Sequence, residues 1–326
     1  MKALVGGLAF LLLLLNFWVK ASAPFGVDVE RYDVILREGV LEWSAYYLKE
    51  WVSWGAMDLL SALSPHLDLA QQLMVLDLVV AAVVGLACRN AGFVGHRFAF
   101  FYVSFAFVLL SFNVLRQYVA FALLAGAAVA AVNERPRRTL LLALLALFAH
   151  NGSLLLLPAL LPVFLRRLRA TYRVMGALLV LAAVVLLSLN DAVLAAFETG
   201  ADVLEEPFWK IALYAGLSLY LVWLARLRRR EVAGADSAAR LADNVQLQSA
   251  ALFAMGLLVS LTPFTNWIIS RNWISVLALQ SFLYLCYQGS GRYTRASVLQ
   301  FVWLYFLPMG LLLFLHSGAR QMMFRS

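Results

Sequence analysis

Between Phe98 and Val132 the chain runs for 35 residues with a single charged side chain, Arg116. Such a run is long enough to cross a bilayer, because about 20 apolar residues suffice. An arginine at the bilayer centre costs about 2.5–3.5 kcal/mol on insertion scales. A chain that keeps one there must give it a partner or a task. The rest of the chain has the same character: of 326 residues, 63% are hydrophobic and 13% charged, and mean hydropathy is +0.83. No soluble core needs that much apolar surface. The sequence therefore reads as an all-α, polytopic integral membrane protein, one transmembrane domain over residues 1–326. The net charge of +8 does not point to nucleic acid, because the charges sit in short clusters between apolar runs.

Those clusters set the topology. Residues 88–97, 133–138, 166–173, 226–240 and 289–295 together hold 16 Lys/Arg against 3 Asp/Glu, which marks them as cytoplasmic. Residues 21–68 hold 8 acids against 3 bases, and residues 190–207 hold 5 acids and no base, so both read as outer loops. Alternation gives about 11 crossings, near 3–20, 68–88, 98–113, 116–132, 139–150, 154–165, 174–190, 208–225, 243–262, 267–287 and 297–315. The N-terminal stretch resembles a signal peptide in Lys2, its apolar run and the sequence "ASA". Its length and Pro24 favour a retained first helix instead. Within the first outer loop, residues 42–60 carry Trp43, Tyr46, Tyr47, Trp51 and Trp54 at near-helical spacing. That spacing predicts an amphipathic helix lying on the outer interface, where aromatic rings prefer to sit.

Residues 139–165 lie between two basic clusters, so both ends are expected on the cytoplasmic side. A helix of 27 residues spans only about 40 Å, too little for two full crossings. A short hairpin fits, turning near "HNGS" at 150–153. Irregular backbone at membrane depth is tolerated only where it is buried in protein or lines a wet cavity. Arg116 falls where the third crossing gives way to the fourth, also on the outer side. Asn113, Arg116 and Gln117 are spaced i, i+3, i+4 and share one helix face. Arg271 lies about one turn into the tenth crossing from the outer side. Parity thus brings Arg116, His150 and Arg271 to the outer half of the membrane.

An arginine keeps its charge and presents a fork suited to phosphate oxygens. Two arginines in an outward-facing membrane cavity suit a lipid diphosphate, whose tail stays in the bilayer. A neutral histidine beside them is a proton acceptor. The set suits transfer from a lipid-diphosphate donor to a hydroxyl.

The same residues carry a resemblance. "FNVLRQYVAFALL" followed by "FAHNGSLLLLP" resembles the EpsG-type, Wzy-like polysaccharide polymerases. That family has an Asn-x-x-Arg-Gln element, then a histidine at the end of the next apolar segment. Its early Gly-x-Asp-x-x-x-Tyr element is matched by Gly26, Asp28 and Tyr32, and its late transmembrane arginine by Arg271. The resemblance implies an integral-membrane glycosyltransferase of the bacterial inner membrane with its active site facing outward. It would join oligosaccharide repeat units carried on undecaprenyl diphosphate, beside a flippase and chain-length or export proteins. Under it, Arg116 and Arg271 are expected to bind the diphosphate, and His150 to be the general base with Asp28 as its rival. Asn113, Gln117 and Tyr32 are expected to hydrogen-bond sugar, and Lys210 to touch phosphate or anchor at the interface. Asp77, inside the second crossing, pairs either with an arginine or with another helix.

Two alternatives remain at this level: a flippase or transporter of an anionic lipid-linked sugar, and a membrane O-acyltransferase of polysaccharide. No His-Glu-x-x-His, phosphate-binding glycine loop or Cys-x-x-Cys occurs, so neither a metal nor a cofactor is indicated.

Overall fold

The computed structural model describes residues 50–90, 115–165, 207–231, 236–262 and 264–287, with isolated positions such as Tyr32, Ile35 and Phe101. The crossings expected near 3–20, 98–113, 174–190 and 297–315 lie outside the described residues apart from isolated positions, as does the acidic loop 190–207. Asp28, Asn113, Trp43, Tyr46 and Tyr47 also lie outside them.

Helix α1 covers Trp51–Leu63 and α2 Leu69–Asn90. The start of α2 is fixed by a reciprocal cap. The Gln71 backbone N–H donates to Asp68 Oδ1 at 2.8 Å, and the Asp68 N–H donates to Gln71 Oε1 at 3.1 Å. Helix α3 covers Leu115–Val132 and α4 Pro136–Ala149. The turn between them holds Glu134 at φ 56°, and Pro136 opens α4 where its missing N–H is no loss. After His150, whose backbone is extended, the chain continues as 3-10 turns over Asn151–Leu155 and Leu157–Leu160, then one turn of helix, α5, over Pro162–Leu165. Helix α6 covers Phe208–Glu231, α7 Asp236–Ser260 and α8 Asn266–Tyr287. No strand occurs among the described residues. Among the described residues, the helix over Phe208–Arg230 is the one long and apolar enough to cross a membrane, and Gln71–Ala87 and Arg116–Val132 are shorter apolar helices.

Two features differ in detail from the sequence reading. Past His150, the limb read as a second hairpin arm is built of 3-10 turns, because Pro158 and Pro162 lack the N–H groups an α-helix would use. Its backbone is shielded, with Ser153, Leu155, Leu156, Leu160 and Val163 buried against α3 and α7. In the segment read as a cytoplasmic loop, 226–240, helix α6 runs on to Glu231 and α7 starts at Asp236.

Cross-links orient the bundle. Near the start of α3, Gln117 Nε2 donates to the Arg271 carbonyl of α8 at 3.0 Å. Just past the end of α3, Asn133 Nδ2 donates to the Tyr287 hydroxyl at 3.0 Å. Helices α3 and α8 therefore run parallel. Asn244 Nδ2 donates to the Val132 carbonyl at 2.7 Å, and Arg240 grips Glu134 through two nitrogens. The start of α7 therefore lies at the same end as the α3–α4 turn. That end gathers Arg135, Arg137, Arg138 and Arg240; the other holds the starts of α3 and α8 and the end of α4.

The close approach of α7 to α8 needs a glycine. A Cβ at Gly256 would stand 2.6 Å from Trp273 ring carbons. The ring cannot yield easily: it is fully buried, and its Nε1 donates to Ser260 Oγ at 2.9 Å. Alanine in a helix is ordinarily favoured over glycine by about 1 kcal/mol. Here overpacking should reverse the sign, and Gly256→Ala should destabilise the purified protein by about 1–3 kcal/mol in thermal unfolding. Gly216→Ala on α6, where the added methyl meets open space, should be neutral or stabilising.

Candidate functional site

The end of the bundle away from the basic turn is organised by a residue that the sequence reading passed over. Glu50 immediately precedes α1 and is fully buried. With Ser53, Trp54 and Met57 it forms an i, i+3, i+4, i+7 stripe, and all four side chains face inward. Helix α1 therefore does not present all its aromatic residues to an interface: Trp51 is half exposed, while Trp54 is core. Ser53 Oγ donates to the Ala149 carbonyl at 2.7 Å, satisfying one of the carbonyls left open at the end of α4.

The Glu50 carboxylate does not cap its own helix; it joins α3 to α4. Oε2 pairs with Arg116 Nη1, Oε1 lies 2.8 Å from His150 Nδ1, and Oε1 also accepts the Asn151 backbone N–H at 2.9 Å. The Arg116 guanidinium stands 5.4 Å from the centre of the Trp54 ring, a cation–π contact, and Tyr32 meets Trp54 edge-on at 5.5 Å. Arg116 thus has a counter-ion and an aromatic platform, which together answer the cost of an arginine in an apolar run.

The electrostatics fix the histidine's tautomer. Glu50 belongs to the connecting segment before α1, outside the spanning helices. Burial pushes its carboxyl up, but the His150 charge and hydrogen bond, the Arg116 charge and the Asn151 amide outweigh burial and hold it at about 2, below the ordinary 4.5. An ionised carboxylate only accepts, so His150 Nδ1 carries the proton. In the neutral ring Nε2 is then the basic nitrogen. It lies over Gly152, where a Cβ would come within 3.0 Å of it. The glycine keeps a side chain of its own off that edge of the ring.

Other predicted residues fall around this core. Gln117 is buried, and its Nε2 donates to the Arg271 carbonyl and the Ser275 hydroxyl of α8, while its Oε1 has no hydrogen-bond partner. The structure ties Arg271 to the start of α3 through that carbonyl. The neighbouring Asn272 is buried with neither amide atom hydrogen-bonded. Tyr32 reaches the site through Trp54. Lys210 lies in the first turn of α6 and joins none of the Glu50 contacts. Asp77 takes the helix-to-helix option, accepting the Tyr118 hydroxyl of α3 at 2.5 Å. Among the described residues, no three His, Cys, Asp or Glu side chains gather as metal ligands would.

A helical bundle with apolar flanks and a carboxylate–histidine–arginine cluster at one end has the features of a membrane protein with a polar site. A model of the EpsG family matches residues 83–228, in agreement with the resemblance carried by the Asn-x-x-Arg-Gln element and His150. The match holds Asn113, Arg116, Gln117, His150 and Lys210, and leaves Asp28, Tyr32, Glu50 and Arg271 outside it. The family is associated with polysaccharide biosynthesis and polymerase-like activity. No curated protein and no solved structure matches the chain.

Removing one partner from a buried ion pair costs about 3–5 kcal/mol, because the other charge stays behind. Glu50→Gln should therefore destabilise the protein by roughly that amount in thermal unfolding. The double variant Glu50→Gln/Arg116→Gln should lose less than the sum of its single variants. Because the folded carboxyl titrates below the unfolded one, its contribution is present above pH 4.5 and is lost as pH falls towards about 2. The wild-type advantage over Glu50→Gln should persist from pH 7 to 4.5 and shrink only below that.

Proposed function

We propose that the chain is a polymerase that joins oligosaccharide repeat units carried on a lipid diphosphate such as undecaprenyl diphosphate, working at the outer face of a bacterial inner membrane. The observation that carries this reading is the Glu50 carboxylate clamping Arg116 beside His150 at one end of the bundle, in a chain that matches the EpsG family across both of those residues. The substrate is the lipid-linked oligosaccharide, and the proteins expected beside it are a flippase and chain-length or export factors.

In this reading an acceptor sugar hydroxyl attacks the anomeric carbon of the donor. The carbon–oxygen bond to the diphosphate breaks, and the diphosphate leaves with the electron pair. The hydroxyl proton passes to His150 Nε2. Glu50 orients the ring through Nδ1–H and stabilises the imidazolium that forms, as a carboxylate does behind a catalytic histidine. Arg116 meets the negative charge that builds on the leaving diphosphate. Because Glu50 offsets part of the Arg116 charge at rest, Arg271 supplies the second cation. The unsatisfied Gln117 Oε1 and Asn272 amide are further polar groups for sugar or ordered water, since such buried groups ordinarily have partners. Asn113 and Tyr32 are candidate sugar contacts, Lys210 a candidate phosphate contact, and Asp28 the rival base.

Three variants test the roles in cells that depend on this protein for polymer, with its amount in the membrane checked each time. His150→Gln keeps a hydrogen-bonding side chain but cannot take the proton, so activity should fall about 10²–10⁴-fold. Arg116→Lys keeps the charge and loses the fork, and should abolish polymer. Asp28→Asn should do less harm than His150→Gln; the reverse order would make Asp28 the base. Deleting the gene should leave single lipid-linked repeat units outside and no long chains. Repeat units retained in the inner leaflet would favour the flippase, and long chains lacking acetyl groups the acyltransferase.

A further inference from the structure

The far end of the bundle holds a second feature, unrelated to Glu50. A cavity of about 290 Å³ runs between α2, α3 and α4. Its walls are apolar, with Val83 and Leu86 from α2, Leu123 and Gly126 from α3, and Leu141 and Leu142 from α4. Its rim is polar, formed by Asn133, Arg135 and Arg138. Leu78, Val79 and Leu86 on α2 and Leu140, Leu141, Leu144 and Phe148 on α4 are exposed, so both walls present an apolar face outward, as lipid-facing helices do.

The charge at the rim is one-sided. Glu134, the only acid in the turn, has both carboxylate oxygens engaged by Arg240 of α7. The Arg135 and Arg138 side chains are exposed, and among the described residues neither has an ion-pair partner. The length also fits. From Asn133 down to Ala122 is 11 residues of α3, or about 16 Å at 1.5 Å per residue. That is about half of a hydrocarbon core of roughly 30 Å, the depth of one leaflet. The volume lies at the low end for ligand pockets, which suits one hydrocarbon chain and not a whole lipid.

We propose that this groove is a binding site for an anionic glycerophospholipid, with one acyl chain between α2 and α4 and the phosphate on Arg135 and Arg138. The site needs only a membrane-embedded bundle and is independent of the polymerase reading. Basic pockets between membrane helices recognise anionic head groups by this combination of tail groove and paired cations. A zwitterionic lipid offers the same tail but adds an ammonium that repels the two arginines.

The test is native mass spectrometry of the purified full chain titrated with dioleoyl phosphatidylglycerol or dioleoyl phosphatidylcholine. Wild type should hold one phosphatidylglycerol in preference to phosphatidylcholine. Arg135→Gln/Arg138→Gln should weaken that binding about 30-fold, the attraction expected of two near-surface arginines. Arg137→Gln/Arg230→Gln removes the same charge from residues that do not line the groove, and should leave binding unchanged. Leu123→Trp should expel the lipid by filling the groove with both arginines present. Thermal unfolding gives a second readout: phosphatidylglycerol should raise the unfolding temperature of wild type and not of Arg135→Gln/Arg138→Gln. Equal loss in the two charge-matched doubles would mean diffuse attraction and overturn the site. Equal binding of both lipids, or retention in Leu123→Trp, would overturn it too.

Discussion

A buried carboxylate has to be neutralised where it stands, and Glu50 is neutralised by drawing three segments of the chain together. Its oxygens take Arg116 from α3, and the His150 ring and Asn151 amide from the segment that ends α4. Ser53, one turn further on, binds the last carbonyl of α4, and Trp54 lies beneath the guanidinium. The α1 stripe, the early end of α4 and the position of Arg116 are mutually dependent. Each would leave a buried polar group unpaired without the others, and such a loss is large beside the few kcal/mol that hold a protein folded.

The remainder of the bundle keeps this cluster apart from the basic turn. Helices α3 and α8 run side by side, tied at one end through Gln117 and at the other through Asn133. The Glu134–Arg240 pair closes the basic end, and the ring of Trp273 over Gly256 sets how near α7 comes to α8. Charge compensation therefore differs at the two ends. Near Glu50 the charge is met from within the protein, and the carboxylate itself is fully buried. Around Arg135 and Arg138 the charge faces outward, available to whatever surrounds the protein.

Much of this plan was legible in the sequence because it rests on composition and periodicity. Apolar run lengths located α2, α3 and α8 to within a few residues, while the arginine-rich end of α6 continued as helix and α7 began seven residues earlier than expected, at Asp236. The need for an unusual turn at His150 followed from the basic clusters on either side of residues 139–165 and the short length between them. Arg116 and His150 stood out because a lone polar group in an apolar run is conspicuous. Glu50 did not stand out, since it is one of eight acids in a polar stretch and its partners are 66 and 100 residues away. The one signal that could have found it is its register with Ser53, Trp54 and Met57, which puts a carboxylate on the apolar face. Trp54 was misread for the related reason that an aromatic spacing looks the same at an interface and in a core.

The central claim is that this end of the bundle breaks a sugar–diphosphate bond each time it forms a glycosidic one. The direct measurement uses purified wild-type protein reconstituted in vesicles with purified undecaprenyl-diphosphate-linked repeat unit and no nucleotide sugar. Released undecaprenyl diphosphate and new glycosidic linkages would be counted together over time. The account predicts one lipid diphosphate released for each linkage made, with chains growing by whole repeat units. Repeat units that cross the vesicle membrane intact, with no lipid diphosphate released, would contradict it.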